Sequence, residues 1–368
     1  MFESLREVIS LFENSLSLRD FYYGKKVLVT GHTGFKGSWM CRTLILMGAS
    51  VTGYALDSMS DPALFDIADI KDHIDSITGD IRDLEHLKKV FDRVKPEIVI
   101  HMAAQPIVRT SYEEPVLTYE TNVMGTVNVL ECVRLTDSVR SVINVTTDKV
   151  YRNNEWEWGY RENDELGGFD PYSNSKSCSE LVTQSYKNSF FGEGKRHCAI
   201  STMRAGNVIG GGDFARDRII PDCVRAILSK DEIIVRNPYS VRPYQFVMEP
   251  VQAYLMLAAM QYENPLFSGS YNIGPDDKDI MTTGDIVNLL CDKWNKGHDK
   301  VSWKNVSDKG PHEAGLLKLD TSKIKQNLGW KNSTDASGAI DRIIKWIDVW
   351  NNDGDVVGCM NEQIEEYL

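Results

Sequence analysis

Residues 26–40 read KVLVTGHTGFKGSWM and decide the fold of this chain of 368 residues. The first five are mostly apolar or β-branched, which predicts a short buried strand. The glycines that follow, Gly31, Gly34 and Gly37, are spaced GxxGxxG and open a helical pattern over 36–47. Glycines at this spacing let the backbone turn sharply and approach a pyrophosphate at a helix N-terminus. The stretch therefore predicts a dinucleotide-binding βαβ crossover.

Outward from this stretch, short apolar runs alternate with helical patterns. The runs are ASVTGYA near 52, EIVIHMA near 99, SVINVTT near 143 and CAISTMR near 201, and the helical patterns cover 36–47, 84–94, 116–135 and 172–190. Strands that alternate with helices predict right-handed βαβ units and a parallel sheet. We therefore expect an α/β protein with a Rossmann-like, doubly wound parallel sheet.

Three parts of the chain differ in pattern. Residues 1–22 place apolar side chains near helical spacing, which predicts an appended amphipathic helix that packs on the body or contacts another subunit. Residues 23–203 carry the strand–helix alternation and form the expected Rossmann domain. Residues 204–368, where the alternation loosens, predict a smaller mixed part for the substrate, packed on the first part and partly interleaved with it.

Composition limits the possible partners. The chain has 41 Lys and Arg against 53 Asp and Glu, a net charge of −12. A field of that sign argues against binding to nucleic-acid backbones and anionic membranes, but it allows one anionic small molecule in a local pocket.

The first twenty residues lack the features of a secretory signal. The seven cysteines never form a CxxC pair, so we expect reduced thiols in a cytosolic protein and no metal site.

The ends of the predicted strands supply the other candidate cofactor contacts. Asp57 follows the second strand, where a carboxylate accepts from the adenosine ribose and repels a 2′-phosphate, so NAD is favoured over NADP. The alternative is that Asp57 begins a solvated loop. We expect the adenine to lie beside the end of the third strand and the cofactor to pass beside the end of the fourth. The further candidates are Thr33, Phe35, Lys36, Asp80, Ile81, Ala103, Ala104 and Gln105.

Residues 170–176, DPYSNSK, form the candidate catalytic stretch. Asp170 suits a helix N-cap and Pro171 the first helical position. Tyr172 and Lys176 then share one helix face, roughly 5–6 Å apart at Cβ. Lowering a phenol pKa from about 10 to about 7 requires roughly 4 kcal/mol, which the Lys176 ammonium and an oxidised nicotinamide supply. Both residues are therefore candidate catalytic groups and cofactor contacts, with Tyr172 as the base toward a sugar hydroxyl.

The chain resembles the extended short-chain dehydrogenases/reductases and, within them, the CDP-glucose 4,6-dehydratase family. The matching stretches are GHTGFKGSW (31–39), HMAAQPIVR (101–109), TNVMGTVNVLE (121–131), WGYRENDELGGFDPYSNSKSCSELV (158–182), RAGNVIGGGD (204–213), NPYSVRPYQFVMEP (237–250), PHEAGLLKLD (311–320) and NLGW (327–330). The resemblance covers residues 24–350. It implies tightly held NAD, a role in deoxysugar and polysaccharide biosynthesis, and a homodimer through a bundle of helices 116–135 and 172–190.

The resemblance also implies a reaction and residue roles. A lyase of this family converts CDP-D-glucose to CDP-4-dehydro-6-deoxy-D-glucose and water by transient oxidation at C4, elimination across C5–C6 and hydride return to C6. Thr147 would bind the C4 oxygen, and Asp148 would protonate the leaving hydroxyl. Lys149 stands where the dTDP-glucose enzymes have a Glu base. It would act either as the C5 base or as a stabiliser of the enolate.

Substrate contacts are expected mostly from the C-terminal part. The candidates are Asn207, Arg218, Arg242 and His312, of which Arg242 suits a diphosphate because a guanidinium matches phosphate oxygens. Family members often have Trp and His where this chain has Tyr244 and Phe246.

Three alternatives to this function stay open. The chain could be a dehydratase for a dTDP-, UDP- or GDP-sugar, a nucleotide-sugar 4-epimerase, or a non-catalytic NAD-binding scaffold. An epimerase needs no acid and base at C6 and C5, so the pair Asp148 and Lys149 counts against it. A scaffold of this kind often lacks the tyrosine or lysine, and both Tyr172 and Lys176 are present.

Overall fold

The strand Lys26–Thr30 (β1) lies at the centre of a parallel sheet in the computed structural model, which describes residues 17–192, 197–306 and 315–368. Seven described strands pair in the order β3-β2-β1-β4-β5-β6-β11, all in parallel. The other six are Ser50–Ala55 (β2), Asp75–Thr78 (β3), Ile98–His101 (β4), Ser141–Thr147 (β5), Ala199–Ala205 (β6) and Ser270–Ile273 (β11). The predicted α/β fold is confirmed, with the strand order reversing between β1 and β4.

Helices connect the strands and cover the sheet. In the first half they are Leu18–Tyr22 (α1), Phe35–Leu46 (α2), Leu64–Ile67 (α3), Leu84–Val94 (α4), Val108–Glu113 (α5), Pro115–Tyr119 (α6), Gly125–Leu135 (α7) and Pro171–Phe190 (α8). Successive side chains of β1 pack in two different hydrophobic clusters. Val27 and Val29 belong to one cluster and Leu28 belongs to the other. Both faces of the sheet are therefore buried, as the unbroken apolar runs predicted.

The C-terminal part adds short strands and further helices. The strands are Asn207–Ile209 (β7), Ile233–Val235 (β8), Val241–Arg242 (β9), Tyr244–Phe246 (β10), Met281–Thr282 (β12) and Trp303–Asn305 (β13). The helices are Ile219–Ser229 (α9), Met248–Glu263 (α10), Thr283–Trp294 (α11), Ser322–Leu328 (α12), Ala336–Asn351 (α13) and Val356–Glu365 (α14). Because β11 joins the central sheet beside β6, this part is continuous with the sheet rather than separate from it.

Two predicted helices differ in detail. Residues 1–16 of the expected N-terminal helix lie outside the described residues, and α1 is a short helix of its own, begun by the Ser17 side chain, which accepts from Asp20 N. Its Tyr22 is buried and donates to Leu255 O at 2.9 Å. The helix expected over 116–135 is interrupted by a π-helical turn at Glu120–Met124. Such turns often mark functional sites, and this one holds Asn122, described below.

Within the described ranges, no helix has both the length and the apolar character needed to cross a membrane.

Candidate active site

The glycine stretch lies at the carboxyl end of β1, where the strand order reverses. Gly31 has φ of +76°, and a Cβ at this residue would lie 2.7 Å from the Ala103 backbone nitrogen after β4. A Cβ on Gly37 would collide with the Gly31 carbonyl. Both positions therefore require glycine: at Gly31 the loops after β1 and β4 approach each other at backbone distance, and at Gly37 the start of α2 packs directly on the preceding loop. This is where open α/β sheets bind ligands.

The start of α2 has the features of an anion site. Its N-cap is Gly34, which offers no side-chain oxygen to the first amides, and the adjacent Thr33 hydroxyl donates instead to Leu56 O at 2.9 Å. Unsatisfied amides at a helix start favour negative charge. Phe35 and Lys36 are the first residues of this helix, so their backbone amides are among those that have no partner within it.

The candidate adenosine contacts lie apart from the catalytic residues, beyond β2 and β3. Asp57 is exposed and accepts from the Thr78 hydroxyl at 3.1 Å. Asp80 accepts from Arg82 Nη2 at 2.6 Å, and this hydrogen bonding lowers the pKa of Asp80. Ile81 is buried. A contact of these residues with adenine or ribose stays a prediction.

Buried polar side chains near the ends of β1 and β4 form a hydrogen-bond network that the sequence did not reveal. Thr30 Oγ1 accepts from the backbone nitrogens of Met102 (3.1 Å) and Ala103 (3.2 Å), and lies 2.7 Å from His101 Nδ1. The Thr30 proton therefore points to Nδ1, and His101 Nε2 donates to Thr126 Oγ1 at 3.2 Å. Burial lowers the pKa of His101 to about 3, so the ring is neutral.

Asn122 continues this network to α8, the helix that carries Tyr172 and Lys176. Its Oδ1 accepts from Gln105 N at 2.8 Å, and its Nδ2 donates to the Ser175 hydroxyl at 2.9 Å. Ser175 in turn donates to the Tyr172 carbonyl at 2.7 Å. The loop of Ala103, Ala104 and Gln105 is thus connected to the start of α8 through the hydrogen bonds of Asn122 and Ser175.

The helix α8 presents Tyr172 and Lys176 as predicted. Asp170 is its N-cap and accepts from Ser173 N at 2.9 Å. Lys176 Nζ donates to Val145 O at 3.2 Å, and burial lowers its pKa to about 8 against the opposing effect of Glu180. Burial likewise raises the pKa of Tyr172 to about 12, opposed by Thr147 and Arg218.

The expected pKa of about 7 for Tyr172 is therefore not a property of the protein alone. The physical reason is desolvation, which penalises a phenolate more than the surrounding protein groups stabilise it.

Thr147, Asp148 and Lys149 stand at the end of β5, where the chain enters one turn of 3₁₀ helix. Thr147 Oγ1 donates to Asp148 Oδ1 at 2.9 Å. Asp148 is 1% exposed, and its Oδ2 has no hydrogen-bond partner among the described residues. Burial raises the pKa of Asp148, with Lys149 and Arg242 opposing. Asp148 therefore keeps its proton to a higher pH than an ordinary aspartic acid does.

The basic side chains of Lys36 and Arg218 also lie near these residues. Burial and the charges of Arg218 and Lys176 lower the pKa of Lys36 to about 7, against Asp148 and Asp213. Arg218 Nη1 lies 3.3 Å from Asp213 Oδ2, a carboxylate that the sequence reasoning did not select. The charges of Lys36 and Arg218 therefore act on the same group of residues as those of Lys176 and Asp148.

The structure brings together most of the predicted substrate contacts. Arg242 is buried and donates to Val241 O at 3.0 Å, and its charge opposes the rise that burial causes in the pKa of Asp148. Asn207 lies opposite Tyr244 in the pairing of β7 with β10, and the Tyr244 hydroxyl lies 2.9 Å from Thr283 Oγ1. His312 lies outside the described residues.

Comparison with known proteins places the chain among nucleotide-sugar enzymes. The family described as GDP-mannose 4,6 dehydratase matches residues 28–343. The CDP-glucose 4,6-dehydratase of Salmonella typhimurium is 48% identical over 95% of this chain and 98% of its own length. Among solved structures, the dTDP-glucose 4,6-dehydratase of Bacillus anthracis in complex with NAD superposes with a TM-score of 0.74, at 20% identity over 88% of this chain and 97% of that one. The UDP-glucose 4-epimerase of Thermotoga maritima superposes equally well, at 22% identity over 89% of this chain and 99% of that one.

Proposed function

The chain belongs to the GDP-mannose 4,6-dehydratase family, and from this premise we propose that it converts CDP-D-glucose to CDP-4-dehydro-6-deoxy-D-glucose and water. The observation that carries the proposal is the pair Thr147 and Asp148 beside Tyr172. A buried carboxyl group with a raised pKa lies next to a tyrosine and lysine on one helix face. A 4-epimerase has no use for such an acid, whereas an elimination at C6 requires one.

The choice of CDP-glucose as substrate is supported by sequence similarity to the Salmonella enzyme along nearly the whole chain. It is also supported by Lys149, the residue that the CDP-glucose family has where dTDP-glucose enzymes have Glu. Arg242, Arg218 and Asn207 are the proposed contacts with the substrate from the C-terminal part, together with His312.

The glycine loop and the crossover fit NAD. Gly31 and Gly37 let the backbone of the crossover pack so closely that a Cβ on either residue would collide with it, and the start of α2 leaves its first amides free of a side-chain cap. Asp57, exposed at the end of β2, would bind the ribose and disfavour a 2′-phosphate. When bound, NAD supplies the hydride acceptor for C4 oxidation and the donor for C6 reduction, and its positive charge favours the phenolate of Tyr172.

The chain's own groups handle the protons. Tyr172, beside Lys176, takes the proton of the C4 hydroxyl, and Thr147 binds the C4 oxygen. The resulting ketone acidifies the C5 proton, and Asp148 gives its proton to the departing C6 hydroxyl. Two roles fit Lys149: base at C5, or electrostatic stabiliser of the enolate.

We also propose a homodimer and a cytoplasmic location. Apolar side chains on the helices predicted to form the bundle are exposed, among them Val116, Tyr119, Leu135 and Leu181. All seven cysteines are free thiols, as expected in a reducing compartment.

Incubation of the purified protein with the glucose esters of CDP, dTDP, UDP and GDP tests the proposal. We expect a 4-keto-6-deoxy product from CDP-glucose and little or none from the other three. Formation of the C4 epimer alone, or equal turnover of all four esters, would show that the proposed reaction or substrate is wrong.

A further inference from the structure

The Tyr244 hydroxyl belongs to a group of three buried hydroxyls around Arg242. It lies 2.9 Å from Thr283 Oγ1, which in turn lies 2.9 Å from Ser240 Oγ. Tyr244, Thr283 and Ser240 are all buried. They come from β10, from the first residue of α11 and from the residue before β9. Their hydrogen bonds therefore join the chain on both sides of Arg242 to the start of α11.

The direction of these hydrogen bonds follows from counting protons. Ser240 Oγ lies 3.1 Å from the Asn237 carbonyl oxygen, which can only accept, so Ser240 gives its one proton to Asn237. Thr283 then donates to Ser240, whose hydroxyl and carbonyl oxygens lie 2.9 and 3.3 Å from Thr283 Oγ1. Tyr244 therefore donates to Thr283. Removing the Tyr244 hydroxyl would break the hydrogen bond that joins β10 to the start of α11.

Arg242 lies in the middle of this group. It is two residues from both Ser240 and Tyr244, and side chains two residues apart in extended chain point to the same side. Its backbone lies opposite Met281 in the pairing of β9 with β12, and Thr283 N donates to Ser240 O at 2.9 Å. The charge of Arg242 also opposes the rise that burial causes in the pKa of Tyr244. The backbone that carries Arg242 is therefore held from both sides.

We propose that Tyr244 is a positioning residue for substrate binding, because its hydroxyl fixes the backbone from which Arg242 reaches the diphosphate. This inference rests on the proposed function, in which Arg242 contacts the diphosphate of CDP-glucose. A guanidinium binds phosphate oxygens through a planar fork of N–H groups, so a small displacement of its backbone weakens the contact. Asn207, which lies opposite Tyr244 in the pairing of β7 with β10, would be displaced with it.

The place of Tyr244 in the fold predicts an effect on binding rather than on the chemical steps. The groups proposed for proton transfer stand on β5 and α8. The hydrogen bonds of Ser240, Thr283 and Tyr244 described above lie in the C-terminal part. Loss of the Tyr244 hydroxyl should therefore raise KM for the substrate and leave kcat nearly unchanged.

Tyr244→Phe tests the proposal because it keeps the ring and removes the hydroxyl. The matched control is Tyr271→Phe, since Tyr271 is also buried and donates to Phe267 O at 2.7 Å. With NAD present, we expect Tyr244→Phe to raise the KM for CDP-glucose and the calorimetric Kd for CDP about fivefold, the scale of one hydrogen bond. Tyr271→Phe should leave both constants as they are. An unchanged Kd in Tyr244→Phe, or equal changes in the two variants, contradicts the proposal.

A double-mutant cycle tests whether Tyr244 acts through Arg242. In the Arg242→Lys protein, Tyr244→Phe should change the Kd for CDP much less than in the unchanged protein, because the planar guanidinium is already lost. Additive changes would contradict positioning through Arg242. Should Tyr244→Phe fail to fold, Thr283→Val removes the acceptor of the same hydrogen bond, and Thr283→Ser keeps it as the control.

CDP binding needs no turnover, so the two proposals fail in different ways. A protein that binds CDP but forms no 4-keto product refutes the dehydratase function alone. A protein that forms the product, and whose Tyr244→Phe variant binds CDP normally, refutes the positioning role alone. A protein that binds no CDP contradicts both.

Discussion

Glu180 and Arg204 form a two-pronged ion pair that is closed to solvent. Arg204 Nε donates to Oε1 at 2.9 Å and Nη2 to Oε2 at 2.8 Å, with side chains only 3% (Arg204) and 2% (Glu180) exposed. Thr146 and Thr202 donate to the same carboxylate. Glu180 also stands one helical turn beyond Lys176, and its charge opposes the lowering of the Lys176 pKa by burial. The carboxylate that pairs with Arg204 between the strands therefore also acts on the charge of Lys176.

Breaking this pair should destabilise the protein strongly. We expect Glu180→Gln to lower the free energy of unfolding by about 3–5 kcal/mol, because it leaves the Arg204 cation buried and unpaired. Urea denaturation measures the change. The matched control is Glu165→Gln, which breaks the exposed ion pair of Glu165 with Arg152 and should cost less than about 1 kcal/mol. Equal losses in the two variants would contradict the importance of the buried pair.

Lys176 should set the alkaline limit of activity. Burial lowers its pKa from the ordinary value to about 8, so the ammonium is present below that pH and is lost as the pH rises through it. Since the ammonium favours the Tyr172 phenolate, kcat/KM should fall above about pH 8.

A profile of kcat/KM against pH measures this alkaline limb, the fall in activity above about pH 8. Glu180→Gln should move it to lower pH, because the carboxylate that favours the ammonium is gone. A limb that does not move, or activity that is flat well beyond pH 8, would contradict the assignment to Lys176.

Substitutions at two glycines with the same backbone conformation distinguish the effect of backbone strain from an effect on ligand binding. Gly31 has φ of +76° and touches the Ala103 backbone, whereas Gly24 has φ of +70° with open space around its missing Cβ. Each substitution to alanine should cost about 1–2 kcal/mol in backbone strain. Only Gly31→Ala should also abolish NAD binding, because its Cβ forces the two crossover loops apart. Fluorescence titration with NAD measures binding, and normal affinity in Gly31→Ala would argue against the crossover as the dinucleotide site.

The proposed dimer depends on the exposed apolar face of α8 and its neighbours. Leu181 on α8 is 53% exposed, and Leu266, away from that face, is 67% exposed. We expect Leu181→Asp to convert the dimer to a monomer in light scattering, because it places a charge in an apolar interface. Leu266→Asp should leave the mass unchanged. A monomeric parent protein, or a dimer that tolerates Leu181→Asp, contradicts this interface.

Local pattern was enough to predict the elements of the first half. The strand 26–30 and the helix 84–94 begin and end where the sequence pattern placed them, since each carries a complete periodic signal. The glycine spacing and the Asp170 cap were equally readable, because both depend on residues close in the chain. Long-range pairing was not readable: β11 joins β6 across more than sixty residues.

The candidate site was predictable only in part. Tyr172, Lys176, Thr147 and Asp148 were selected from spacing or resemblance, and their catalytic roles stay predictions. His101, Asn122 and Asp213 were missed, because their roles arise from tertiary contacts of buried polar groups that no local pattern records. The raised pKa of Tyr172 was missed for the same reason, since burial is a property of the folded chain.

The most direct test of the dehydratase reaction follows one hydrogen atom. CDP-glucose that carries deuterium at C4 is converted by the purified protein, and the product is analysed by mass spectrometry and NMR. Oxidation at C4 and reduction at C6 by the same bound cofactor predict a 4-keto-6-deoxy product with the deuterium on C6. Deuterium that returns to C4, or that is absent from the product, would contradict the account.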